Sequence, residues 1–197
     1  MKQKAVIKPL SKPKVILLTA ILLSLAVIFT ITAIRAYDKM LRESYPRSFS
    51  ELVTKYAEQY DLSEEFIYAV IHTESGFRPA VVSHAGAQGL MQIMPDTHDW
   101  IEFKLGIKQS NDIFDPETNI SYGTYYLSYL LNKYNDEKCA LAAYNAGSTS
   151  VDRWLSDTRY SDDGITLKKI PYNETKNYVE KVAKSKAMYI KLYGDKK

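Results

Sequence analysis

The sequence predicts a mainly α-helical protein, one N-terminal transmembrane helix followed by a helical domain, and three observations carry this. Residues 15–34 run for 20 positions without a charge. Beyond residue 48, apolar residues recur at three- and four-residue spacing, the period of a helix with one face turned inward. Pro95, Pro116 and Pro171 stand where such runs begin, and Gly76, Gly106 and Gly147 where they stop.

At about 1.5 Å per residue, a helix over residues 15–34 spans roughly 30 Å, the thickness of a bilayer's hydrocarbon core. Lys2, Lys4, Lys8, Lys12 and Lys14 precede it, while only Arg35 and Lys39 follow closely. This asymmetry predicts a cytoplasmic basic tail (residues 1–14), a single-pass anchor in the cell membrane (15–34) and an outward-facing, extracytoplasmic domain. The apolar core of a cleaved secretory signal is shorter, about 7–15 residues, and ends in a small-residue site that Ile31-Thr32-Ala33 and Ile34-Arg35-Ala36 match poorly. An uncleaved anchor is the expectation.

Residues 35–47 read as a polar connector ending near Pro46, and residues 48–197 as the folded domain. Phe49, Leu52, Val53, Tyr56, Ala57 and Tyr60 repeat at helical spacing. Ser63, followed by Glu64 and Glu65, caps the next helix. Its apolar run of Phe66, Ile67, Ala69, Val70 and Ile71 delivers Glu74 to its C-terminal end, where Gly76 and Pro79 stop it. A glycine-rich loop follows, with a short hairpin expected near residues 80–92. Pro95 opens a helix with apolar Trp100, Ile101 and Phe103 that Gly106 ends, and Asp115-Pro116 opens a long one to about Tyr134. Asp136 starts another helix, closed by Gly147. Residues 156–169 read as an exposed loop, and Pro171 starts a last helix through Tyr193, with Tyr178, Val182, Met188 and Leu192 as its apolar positions.

Residues 1–40 carry seven Lys/Arg against the single acid Asp38, leaving 19 basic and 22 acidic residues of the totals of 26 and 23. The folded part is therefore mildly acidic, which argues against a nucleic-acid partner. Cys139 is the only cysteine, so no intrachain disulfide can form; in its apolar run it reads as a buried, inert thiol. His72, His84 and His98 fit no zinc pattern, and Gly86-Ala87-Gln88-Gly89 lacks the Lys-Ser/Thr of a phosphate loop. Neither metal nor cofactor is expected.

Glu74 is the candidate catalytic residue. A carboxyl held against apolar walls loses hydration, which raises its pKa and suits it to donate a proton. Gly86 and Gly89 permit tight turns and close approach of backbone to a ligand. Met91, Gln92, Ile93 and Met94 then present amide and thioether groups fit to line a groove for a polar polymer with apolar faces.

The string Glu74-Ser75, followed at a fixed distance by Gly86-Ala87-Gln88-Gly89-Leu90-Met91-Gln92-Ile93-Met94-Pro95, resembles the catalytic motif of the soluble-lytic-transglycosylase-like (SLT) domains. Two further blocks of that family follow in order: Ala142-Ala143-Tyr144-Asn145-Ala146-Gly147, and the ten residues from Ile170-Pro171-Tyr172 to Tyr178-Val179. The resemblance covers about residues 48–193. It implies a lysozyme-like, goose-type helical fold and a membrane-anchored enzyme acting on the glycan strands of peptidoglycan. It also implies substrate-binding roles: Ser75 and Ser83 near the acid or the sugar, Gln92 and Met94 along the groove, Tyr144 and Asn145 on the acetamido group, and Glu174 on polar groups of the substrate.

Most glycosidases pair two carboxylates, yet Asp96 and Glu102 stand in no evident partner role to Glu74. By the resemblance, the substrate's own 2-acetamido group replaces the missing partner, and the reaction closes a 1,6-anhydro ring without water. Two other readings remain open on these residues: a goose-type lysozyme-like hydrolase, and a catalytically silent module that binds the wall.

Overall fold

The computed structural model describes residues 11–194, and the chain divides into two compact units, Met1–Pro46 and Arg47–Lys197. Residues 1–10, most of the expected basic tail, lie outside the described residues.

In the first unit, helix α1 (Lys12–Ser44) buries no residue and includes an 18-residue window of mean hydropathy 2.7. Its polar side chains turn back on the helix. The hydroxyls of Thr19, Ser24, Thr30 and Thr32 donate to Ile16, Ala20, Ala26 and Phe29 carbonyls at 2.8–2.9 Å, which leaves an outer surface of apolar groups. The helix runs through most of the predicted connector. Residues 35–44 contain no helix breaker and carry an i,i+4 pair, Lys39–Glu43 at 3.8 Å, so helical structure persists until the cap at Tyr45, before Pro46.

The second unit holds seven helices among the described residues: α2 (Ser50–Tyr60), α3 (Glu64–Glu74), α4 (Pro95–Leu105), α5 (Pro116–Tyr134), α6 (Glu137–Ala146), α7 (Ser148–Leu155) and α8 (Asn173–Tyr193). Sequence-predicted caps hold three of their starts. Ser63 Oγ accepts from Phe66 N–H at 3.3 Å, Asp115 from Thr118 N–H at 2.9 Å, and Asp136 from Cys139 N–H at 2.7 Å. Gly106, in the left-handed region at φ +69°, ends α4.

Helix α3 is the centre of the unit. Six consecutive residues, Phe66 to Ile71, are buried, so it is enclosed on all sides rather than along one stripe. It packs most extensively against α8, while α5 packs on α2 and α6. Burying Ile67, Val70 and Ile71 contributes on the order of 1.5–3 kcal/mol each. The stripe of α8 that faces inward is Thr175, Tyr178, Val179, Val182, Ser185 and Tyr189.

Four details depart from the sequence reading. The expected hairpin reduces to isolated antiparallel bridges, Val82 with Gln88 and Gln88 with Ile93, because side chains rather than a strand ladder hold this loop. Helix α7 was not anticipated: its Ser-Thr-Ser start has weak helix propensity, and burial of Val151 and Trp154 supplies what propensity lacks. Phe103 is 80% exposed, since the face of α4 turned to the core is that of Ile101 and Glu102. The 156–169 segment is a loop, but one pinned by buried Ser161 and Leu167.

Cys139 is fully buried, and its thiol lies 3.7 Å from the Ile165 carbonyl. Burial, with the neighbouring Asp136 carboxylate, pushes the thiol up to about 12.

The loop from 81 to 94 is tied down by Asn119 on α5, which is fully buried. Its Oδ1 accepts from Met91 N–H at 2.7 Å, and its Nδ2 donates to the Gln88 and Ile113 carbonyls at 3.0 and 2.8 Å. Gly89, at φ +78°, lies so close that a Cβ there would sit 2.1 Å from Nδ2. A side chain at Gly123 would meet the Met91 sulfur at 2.4 Å. Asn119→Ala would strand three buried backbone groups, so a loss of roughly 2–4 kcal/mol is expected in urea unfolding. Phe103→Ser, on the open face of α4, should change stability by less than about 0.5 kcal/mol.

Candidate active site

Glu74 is the last residue of α3, so the enclosed helix sets its position, and the turn after it removes the chain from the site. Gly76 and Phe77 both adopt left-handed backbone, at φ +58° and +64°, a conformation unfavourable for phenylalanine. Arg78 holds this turn by donating from Nε to the Ser75 carbonyl at 2.8 Å.

Burial pushes the Glu74 carboxyl up to about 7, against a weaker opposing pull from the Tyr178 hydroxyl. No other carboxylate contributes to this shift among the described residues. Tyr144 and Tyr178 are both raised well above the ordinary tyrosine value, first by burial and next by the proximity of Glu74. The Tyr178 hydroxyl is buried and closes no hydrogen bond of ordinary geometry, so it faces the carboxyl as a donor held in reserve. Near neutral pH the site therefore holds a carboxyl able to give or take a proton, beside two hydroxyls that stay protonated.

Tyr144 joins the acid to the groove. Its hydroxyl donates to the Met91 carbonyl at 2.8 Å, and its ring helps line a hollow with Gln92, Ile93, Met94, Thr97 and Tyr126. Gln92, in left-handed backbone at φ +49°, donates from Nε2 to the carbonyls of Val81 at 3.1 Å and Gly89 at 2.8 Å. Met94 is 41% exposed at the mouth.

The other sequence-predicted residues have different surroundings. Ser75 is buried, and its hydroxyl donates to the Ile71 carbonyl at 3.2 Å, inside the helix end. Ser83 Oγ accepts from Ala87 N–H at 2.9 Å and braces the loop. Asn145 is exposed at the end of α6, its Oδ1 accepting from the buried Thr175 hydroxyl at 2.8 Å, which ties α6 to the first turn of α8. Glu174 is exposed in that same turn.

Two residues of this site escaped the sequence reading. Tyr178 was assigned only an apolar helix position, although it lies inside the last of the three motif blocks. Tyr126 belongs to a run of tyrosines on α5 in which nothing singles out the one that faces the groove. Glu102 serves structure: it accepts from Asn111 N–H at 2.9 Å and the Tyr122 hydroxyl at 3.1 Å, with His98 Nε2 at 3.2 Å.

Residues 51–166 match the family described as the Transglycosylase SLT domain. The chain is 35% identical over 161 residues to the soluble lytic murein transglycosylase of Escherichia coli K12, covering 79% of this chain and 25% of that protein. It is 35% identical over 162 residues to the membrane-bound lytic murein transglycosylase C of Pectobacterium atrosepticum, covering 70% of this chain and 45% of the relative. Among solved structures, the 70 kDa soluble lytic transglycosylase SLT70 of Escherichia coli superposes with a TM-score of 0.69 at 32% identity, over 79% of this chain and 26% of that one. Slt of Pseudomonas aeruginosa, solved as an inactive glutamate-to-glutamine mutant, superposes at 0.65 and 32% identity, over 77% of this chain and 25% of its own. The chain thus spans about a quarter of the length of the soluble relatives, and the mainly α, lysozyme-like fold expected from the sequence is the one found. Motif order, helical architecture and these similarities together show that the chain belongs to the Transglycosylase SLT domain family.

Proposed function

We propose that this chain is a membrane-anchored lytic transglycosylase that cleaves the β-1,4 bond between N-acetylmuramic acid and N-acetylglucosamine in peptidoglycan. The observation that carries the reading is one dry carboxyl, Glu74, poised near neutrality beside two tyrosine hydroxyls and without a second carboxylate acting on it. Membership of the family, and relatives named lytic murein transglycosylases, support it. The apolar helix α1 and the membrane-bound relatives support anchoring, with the N-terminus cytoplasmic and the domain outside.

Glu74 in its neutral form gives its proton to the departing glycosidic oxygen, and the C1–O bond breaks. The substrate's 2-acetamido oxygen stabilises C1 in place of a protein carboxylate. Glu74, now ionised, takes the proton of the muramyl 6-hydroxyl as that oxygen bonds to C1. The 1,6-anhydro ring closes, the acid is regenerated, and no water is consumed. Tyr178 and Tyr144 stabilise the ionised state of Glu74 between the two transfers, while Gln92, Met94 and Asn145 border the strand. Ser83 shapes the loop, Ser75 the helix end, and Glu174 meets polar groups at the edge of the cleft.

Product analysis on intact sacculi tests the reading. The parent should release 1,6-anhydromuropeptides, and Glu74→Gln should lower the rate by about a thousandfold or more. Products one water heavier would establish a hydrolase instead, and binding with no turnover a silent wall-binding module.

Because the first step needs a protonated acid, kcat/KM should fall as pH rises through about 7. Tyr178→Phe removes the hydroxyl that favours the carboxylate, so this limb should move to higher pH in the variant's pH–rate profile.

The same shift acts on stability. Below the ordinary carboxyl value of 4.5 Glu74 is neutral both folded and unfolded, and the parent and Glu74→Gln should be equally stable. Between 4.5 and about 7 only the folded protein keeps the proton, so the parent loses stability as pH rises. At pH above 7 the glutamine variant should be the more stable by roughly 2–3 kcal/mol, read from denaturant midpoints across pH.

A further inference from the structure

Next to the groove, on the side away from Glu74, lies a second hollow of about 270 Å³, lined by Asp96, Thr97, Trp100, Tyr126, Tyr129 and Ser148. It shares Thr97 and Tyr126 with the groove that Tyr144 borders, so the two form one continuous depression. Aromatic rings connect them in sequence. Tyr126 is 5.5 Å from Tyr144 between ring centroids, Trp100 is 5.8 Å from Tyr126, and Tyr129 is 4.8 Å from Trp100, the last two pairs edge to face.

This wall is more than the margin of a core. Trp100 packs part of its surface on the Ile93, Ile101, Ile113 and Tyr122 cluster, but the remainder, with Tyr129 at 38% exposure, faces the hollow. Three large aromatic rings left at a concave surface, with a carboxylate and two hydroxyls beside them, combine flat apolar faces with hydrogen-bonding groups around them. That combination suits a ring with apolar C–H faces and equatorial hydroxyls. A lipid chain would leave Asp96 without a partner. A cationic amine would meet Lys104, whose Nζ already stands 5.6 Å from the indole centroid.

We infer that the Trp100–Tyr129 hollow is a distal saccharide subsite that takes an uncharged pyranose ring of the glycan strand, beyond the sugars held at Tyr144, and so makes turnover depend on strand length. The inference rests on the proposed glycan substrate. Trp100 and Tyr129 are on this account specificity residues, acting through binding of a remote sugar and not on the bond that breaks.

Two measurements on the whole chain test it separately from the function. In the first, kcat/KM is measured on defined glycan strands, one too short to extend past Tyr144 and one several disaccharides longer. Trp100→Ala should lower the ratio of long-strand to short-strand kcat/KM by about tenfold. Tyr129→Ala, at a more exposed position, should lower it in the same direction and serves if the tryptophan variant does not fold. In the second, intrinsic fluorescence is titrated with tetra-N-acetylchitotetraose. The emission should shift in the parent, where Trp100 and the buried Trp154 are the only tryptophans, and the shift should be lost in Trp100→Phe.

A parent that cleaves strands but whose length ratio survives both substitutions overturns the subsite and leaves the function intact. A parent that cleaves neither strand yet shows the Trp100-dependent shift overturns the function and keeps the subsite. An emission that does not respond to the saccharide overturns the subsite.

Discussion

Water must be kept from one side of a carboxyl group if that group is to hold a proton near neutral pH, and in this protein that requirement falls on helix α3. Its six consecutive buried residues leave no solvent-facing stripe, so α8, α2 and the motif loop must enclose it. The helix then ends abruptly. Glu74 emerges at the one point where the enclosure opens, and Gly76 and Phe77 turn the backbone away at once through left-handed conformations. A helix one turn longer would carry the carboxyl into solvent, and a shorter one would bury it without access to a substrate. The strain at Phe77 is tolerated because the surrounding packing fixes where the helix must stop.

The second wall of the site is a loop with almost no regular structure, and its precision comes from side chains. Asn119 joins Gln88, Met91 and Ile113, Gln92 joins Val81 and Gly89, Ser83 holds Ala87, and Tyr144 holds Met91. Such a network is cooperative: each amide or hydroxyl is buried only because its partners are in place. The glycine at 89 is required twice, for its positive φ and for the absent Cβ that lets Asn119 approach. Sequence blocks far apart in the chain are thereby tied to each other, which is why the motif appears as three ordered strings and not as one.

Local signals in the sequence were enough for the helix boundaries where chemistry fixes them. Ser63, Asp115 and Asp136 cap as their side chains dictate, Pro95 and Gly106 bracket α4, and Glu74 lies at the helix end that Gly76 predicts. What the sequence hid were outcomes of packing. Helix α7 exists because Val151 and Trp154 find a core, and α1 outlasts its apolar segment because nothing before Pro46 breaks it. Side-chain direction was the hardest to foresee. Ser75 turned inward to its own helix, Phe103 outward to solvent, and Tyr178 toward the acid, since tyrosine at helical spacing looks the same whether it fills a core or faces a reacting group.

The lone thiol has a practical implication. Cys139 is enclosed and stays protonated at neutral pH, so the chain as it stands offers thiol-directed reagents no reactive target. Any cysteine installed at an open position, Phe103→Cys for one, would then be the sole labelled atom in the molecule. The native background is silent enough for a membrane-impermeant maleimide to report, in intact cells, on which side of the bilayer the helical domain resides.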